Sequence, residues 1–161
     1  MPSFDVVSKV DMQEVDNAVN QARKEIATRY DFRGTKCTIE FDKTSITLLA
    51  DDKMKLQAMN EILNQKMVKR GVGVRSLDYK DAESSMGESL RQKIEIKQGI
   101  STEDAKKIVK HLKDQGLKKV SASIQGDQVR VTGPKRDDLQ AAIAALKSGI
   151  QLELQFVNFK D

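Results

Sequence analysis

The sequence predicts an α+β fold of two lobes, each built as a β-α-β-β-α-β unit, and three observations carry that prediction. The chain reads as one pattern written twice, each copy about 80 residues long, and the triplet Leu56-Gln57-Ala58 returns as Leu139-Gln140-Ala141. Four segments place apolar residues at helical spacing on one narrow stripe each. The segments between them alternate with period two, as half-buried strands do.

Taken in chain order, residues 4–10 alternate as a strand. The first helix follows, with Met12, Val15, Val19, Ala22 and Ile26 on its stripe, Asp11 as N-cap and Glu14 as its capping-box partner. Ile39 with Phe41, then Ile46 with Leu48, form a hairpin around Asp42-Lys43-Thr44. A second helix carries Leu56, Met59, Ile62, Leu63 and Met67 after Asp51-Asp52, and residues 72–79 return as a strand. Residues 80–89, small and polar, read as a linker.

In the second copy, residues 93–97 form the opening strand. Ser101 starts a helix with Ala105, Ile108, Val109 and Leu112 buried and Gly116 at its left-handed end. Val120, Ala122 and Ile124 pair with Val129 and Val131 around Gly126-Asp127. The fourth helix starts at Gly133-Pro134, with proline in its first turn, and buries Leu139, Ala142, Ile143 and Leu146. Residues 152–159 close the copy. One-sided strands with one-sided helices imply antiparallel sheets with helices on a single face, the ferredoxin-like arrangement twice over.

The other face of each sheet is then open, which tests one function directly. A sheet that stacks single-stranded RNA bases needs aromatic side chains pointing outward from its central strands. The outward positions are Lys93, Glu95 and Lys97, then Gln128, Arg130 and Thr132, with Asp5, Val7, Lys9, Ser45, Thr47 and Leu49 in the first copy; none is aromatic. The net charge of +4 gives little more, because each half holds 14 Lys and Arg against 12 Asp and Glu. Acids at helix starts and bases at helix ends account for much of that distribution through the helix dipole. Residue types favour a solvated face over a duplex-binding patch.

One segment stands apart from scaffolding. Arg29-Tyr30-Asp31-Phe32-Arg33-Gly34-Thr35 puts two arginines, two aromatics and a glycine in seven residues. Such a loop could hold a base between rings and a phosphate on a guanidinium fork. Its plainer reading, which residue types favour, is a helix-ending loop in which Tyr30 and Phe32 plug the lobe. Arg29, Tyr30, Phe32 and Arg33 are the candidate nucleotide-binding residues, with Lys93, Lys97 and Arg130 as secondary candidates.

Catalytic and metal chemistry find no constellation in the sequence. The one histidine, His111, reads as a surface residue near a helix end, and the one cysteine, Cys37, as a small core residue in phase with Ile39 and Phe41. Neither a catalytic residue nor a metal or other cofactor is expected. Apolar runs fall well short of the roughly 18 residues that span a bilayer, and the first residues lack a signal-peptide pattern, so a cytoplasmic protein without membrane association is expected.

Four stretches carry a family resemblance: Pro2-Ser3-Phe4-Asp5-Val6-Val7-Ser8, Arg29-Tyr30-Asp31-Phe32-Arg33-Gly34, Asp138-Leu139-Gln140-Ala141 and Leu154-Gln155-Phe156-Val157-Asn158-Phe159. They closely resemble the bacterial YajQ family over essentially the whole chain. The resemblance implies a small cytosolic, non-enzymatic nucleotide-binding protein of two ferredoxin-like lobes that exchange N-terminal strands. Residues 11–98, completed by the strand 91–97, would form the first lobe, and 1–10 plus 99–161 the second; without exchange the division would be 1–80 and 90–161. It also implies a regulatory role and a nucleotide or cyclic dinucleotide such as cyclic di-GMP as partner. RNA binding as an accessory protein and docking of a transcription factor are the alternatives it leaves open.

Overall fold

A computed structural model describes residues 1–161. The element order is β1 (Ser3–Val7), α1 (Met12–Thr28), β2 (Thr38–Phe41), β3 (Ser45–Ala50), α2 (Lys53–Lys69), β4 (Leu77–Tyr79), β5 (Glu83–Ser84), β6 (Leu90–Ile96), α3 (Thr102–Asp114), β7 (Ser121–Gln125), β8 (Gln128–Thr132), α4 (Arg136–Gly149) and β9 (Gln155–Lys160). The chain divides into two compact units: Val10–Lys97, called here the first lobe, and Met1–Lys9 with Gln98–Asp161, the second.

Each lobe holds one antiparallel sheet, in the order β2-β3-β6-β4 and β7-β8-β1-β9 respectively. The strand exchange is written in the pairing. β1 precedes α1 in the chain, yet it pairs with β8 and β9. β6 precedes α3, yet it pairs with β3, β4 and β5. Both exchanged strands are therefore central in their sheets. At the crossover the Gly99 amide donates to the Ser8 carbonyl at 2.6 Å, with Gly99 at φ 82°.

The helices bury the stripes that their sequences carry. Leu56, Met59, Ile62, Leu63 and Met67 line the first core, and Ala105, Ile108, Leu112, Leu139, Ala142, Ile143 and Leu146 the second. Burying a side chain of this size contributes about 1.5–3 kcal/mol, so these stripes, more than propensity, hold the helices. The caps fit the chemistry of helix ends. Asp11, Asp52 and Ser101 accept from first-turn amides, each contributing about 1 kcal/mol. α2 ends in a Schellman turn: the Gly71 amide donates to Val68 and the Val72 amide to Met67, with Gly71 at φ 79°.

Several local expectations are corrected. Glu14 does not close a capping box; its carboxylate takes a two-pronged bond from Arg70 at 2.7 and 3.1 Å, a stronger charge-assisted partner than a backbone amide. Pro134 lies outside α4, whose N-cap is the extended Lys135. Residues 74–76 form a 3-10 turn, so the strand read as 72–79 is only β4. The segment 80–89 is no linker, because Glu83 and Ser84 fold back to pair with Arg91 and Leu90 of β6. Ile124, expected inward, is 40% exposed because β7 is an edge strand, whereas the outward Val7 is buried.

β9 departs from alternation at one residue. Its register against β1 slips between Val157 and Lys160, with Asn158 at φ 56° as the extra residue of a bulge. The slip sends Phe156 and Phe159, three apart, to the same side, where their rings meet Phe4 at centroid distances of 5.8 and 5.6 Å.

Candidate functional site

The loop after α1 is shaped by three cations that the sequence places around two rings. Arg29 ends the helix, its amide donating to the Glu25 carbonyl. Its guanidinium grips Asp31 through Nε at 3.0 Å and Nη2 at 2.9 Å. This bond, above all, holds the Asp31 carboxyl below its ordinary range and raises Arg29. The pair bends residues 30–32 into a 3-10 turn and brings the Arg29 guanidinium to 5.5 Å from the Phe32 ring. On the other side Lys55, from the first turn of α2, donates to the Asp31 carbonyl and stands 5.4 Å from the same ring. Gly34 at φ 74° then turns the chain toward β2.

The two aromatics separate. Phe32 is buried in the first core and has no face for a ligand. Tyr30 is 83% exposed, so it does not plug the lobe; the following turn points its ring outward. Arg33 stands over that ring at 5.5 Å, and no carboxylate holds its guanidinium. Of the four residues picked out in sequence, then, Tyr30 and Arg33 come together with free faces, while Arg29 and Phe32 form their support. Lys55 is the member that sequence reasoning missed. Its helical position, 24 residues away, carries no local signal of this contact.

The secondary candidates lie elsewhere. Lys93 sits on the open face of the first sheet in a cavity of about 350 Å³, lined also by Arg91, Lys80, Asp42, Asp81 and Glu83. The mixed signs there leave no net field for an anion. Asp42 spends its carboxylate on Ser45 and Thr44, whose amides and hydroxyls pull its pKa to about 2. Lys97 is exposed one residue past the end of β6. Arg130 belongs to the other lobe and donates from Nε to Asp5 at 3.0 Å.

His111 is not a free surface residue. Its Nε2 meets the Ala145 carbonyl at 3.0 Å, across from α3 to α4. A Cβ at Gly149 would come within 2.1 Å of that nitrogen, so the glycine is what admits the ring. Cys37 is half-buried and lines a small cavity with Arg23, Ile26 and Ile39. No helix is long and apolar enough to cross a membrane.

With this geometry in view, comparison with known proteins places the chain. A family model described as nucleotide-binding protein YajQ-like matches residues 2–160. The chain belongs to this family. Among its relatives, a nucleotide-binding protein of Magnetococcus marinus is 58% identical over 162 residues, covering all of both chains. One of Heliobacterium modesticaldum is 54% identical, over 98% of this chain and 96% of the relative. One of Paramagnetospirillum magneticum is 51% identical over the full length of both. The YajQ-like resemblance read from the four sequence stretches thus stands.

Proposed function

We propose that this member of the YajQ-like family binds a nucleotide or cyclic dinucleotide on the loop after α1, as a cytoplasmic regulator without turnover. The observation that carries the reading is the pair Tyr30 and Arg33: an aromatic ring 83% exposed, with an uncommitted guanidinium 5.5 Å above it. A base stacks on the ring and a phosphate takes the guanidinium fork. Arg29, Asp31, Phe32 and Lys55 set the loop beforehand, which lowers the ordering cost of binding. The names of the relatives support nucleotide as the ligand class. Binding without turnover fits the places of His111, bonded to the Ala145 carbonyl, and of Cys37, partly buried against the first core. In this reading the bound nucleotide is a signal, passed to a protein partner such as a transcription factor.

Calorimetric titration with GTP, ATP, cyclic di-GMP and a short RNA tests it. One ligand of the panel saturates at fixed stoichiometry, and Arg33→Ala weakens it by about 1.5–3 kcal/mol, as expected for a lost charge-assisted bond. The variant melts like the parent, since Arg33 is exposed and outside the core. Equal affinity in a parent-like Arg33→Ala protein removes the loop as the site. Binding that grows with RNA length and falls steeply with salt favours the RNA reading instead.

A further inference from the structure

The second lobe carries a feature that the nucleotide loop does not explain: a carboxylate buried on the face of the sheet away from the helices. Asp5 is 2% exposed, while its neighbours Phe4 and Val6 point into the core. The register sets two cross-strand rows on this face. One runs Ser123, Arg130, Asp5. The next runs Ser121, Thr132, Ser3, Lys160. Asp5 is bonded at both oxygens, by Arg130 Nε at 3.0 Å and by Asn158 Nδ2 at 2.9 Å. The Arg130 bond is the chief reason its carboxyl stays below the ordinary range.

Two details indicate that this network serves a ligand as well as the sheet. Arg130 meets Asp5 through Nε alone, so its two terminal amino groups keep no protein partner, and its side chain is 40% exposed. Asn158 reaches Asp5 from the left-handed region, at φ 56° in the β9 bulge. Strained residues and bulges gather where a side chain must be aimed. Lys160 lies two strands from Thr132 in the neighbouring row, which by strand spacing puts its Cα ~12 Å from that of Arg130. The hydroxyls of Thr132 and Ser3 lie between them.

We propose that Arg130, aimed by Asp5 and Asn158, forms with Lys160 and the Ser3 and Thr132 hydroxyls a phosphate-binding site on the helix-free face of the second sheet. The guanidinium fork takes two oxygens of a tetrahedral anion, the ammonium supplies a second charge, and the hydroxyls donate to the rest. Asp5 cancels one of the two positive charges, so the site keeps a net charge of one. Affinity then depends on the geometry of the fork, and a lysine cannot replace it. This site is independent of the Tyr30 loop.

The test is a two-dimensional NMR titration of the full chain with inorganic phosphate, standing in for a monoester, and with dimethyl phosphate, for a diester. Saturable shifts are expected at Ser3, Thr132, Lys160, the Arg130 Nε–H and the Asn158 side-chain amide, for one anion or both. Arg33→Ala leaves them in place. Arg130→Lys weakens binding about tenfold or more. Because Arg130 variants also remove the chief bond to Asp5, Lys160→Gln is the second variant, exposed and without a hydrogen bond to Asp5; it weakens binding several-fold and shifts the melting temperature far less than Arg130→Lys does. Shifts that appear elsewhere, or that survive unchanged in Lys160→Gln and Arg130→Lys, overturn the site. So does the absence of saturable shifts with both anions.

Discussion

Phe4 and Gln92 hold the same inward place in two sheets of the same strand order, one a buried ring and the other a hydrogen-bonded amide. Phe4 faces Val131 on β1, and Gln92 faces Leu48 on β6. One residue pair further along, Val6 faces Val129 and Phe156, while Ile94 faces Ile46 and Tyr79. The inner layer thus repeats as aliphatic, aliphatic, aromatic in both lobes. At the Phe4 position the second lobe packs three rings. The first lobe instead builds a polar seam, where Asn60 donates to Gln92 at 2.9 Å and Gln92 to the Lys80 carbonyl. That seam is imperfect, because Asn60 Oδ1 and the Tyr79 hydroxyl are buried without partners. Outside, Asp5 and Arg130 correspond to Lys93 and Thr47. Away from the Phe4 position the repeated unit thus keeps its inward pattern, while its outward positions carry different side chains in the two lobes.

The helix pairs differ in the same sense. α1 and α2 are tied by ion pairs, Arg70 to Glu14 and Lys66 to Glu25 at 3.0 Å. The Lys66 bond is the main reason the Glu25 carboxyl stays below its ordinary range. α3 and α4 instead close around His111 and Gly149.

The largest break in the comparison comes from the exchanged strand. Removing residues 1–9 takes one of the two inner strands from the second sheet and no strand from the first. Hydrogen exchange should then show residues 98–161 losing protection while 11–97 keep most of theirs. Deprotection confined to residues 11–80 would contradict the pairing.

Next in size is the matched pair itself. Phe4→Ala should cost about 3–5 kcal/mol in denaturant titration, the range for a buried ring. Gln92→Ala should cost about 1–2 kcal/mol, since it strands one Asn60 donor in a seam that is only half-buried. Equal losses would mean that the two seams do the same job. Smaller again, Gly149→Ala forces a methyl into the His111 ring and should cost about 1–3 kcal/mol as overpacking. The same change on a His111→Ala background should cost clearly less; an unchanged cost would place the strain in the helix end instead.

These contrasts mark how far the sequence could be read. Helix stripes and strand phases are local, so the stripe residues that line both cores could be named from spacing alone. Which sheet β1 and β6 join is set by pairing between distant segments, across more than a hundred residues for β1 and 40–50 for β6 with β3, and only the family resemblance pointed to it. The bulge at Asn158 and the contact between His111 and Gly149 leave no periodic trace. Within the candidate site, residue types marked out the loop of residues 29–35. They could not separate Tyr30, turned to solvent, from Phe32, turned to the core, because that depends on the turn set by Arg29, Asp31 and Lys55.

The most direct measurement uses the fact that the protein has two tyrosines and no tryptophan. Tyr79→Phe removes a buried hydroxyl that lacks a partner. It should leave stability unchanged or raise it by up to about 1 kcal/mol, and Tyr30 then becomes the only tyrosine emitter. Titrating this variant with the nucleotide selected by calorimetry, with free N-acetyltyrosinamide as the absorbance control, reads stacking on Tyr30. Saturable quenching at one ligand per chain, lost in the Tyr79→Phe, Arg33→Ala double variant, is the result expected here. A nucleotide that binds by calorimetry and leaves Tyr30 emission unchanged would contradict the loop as the binding site.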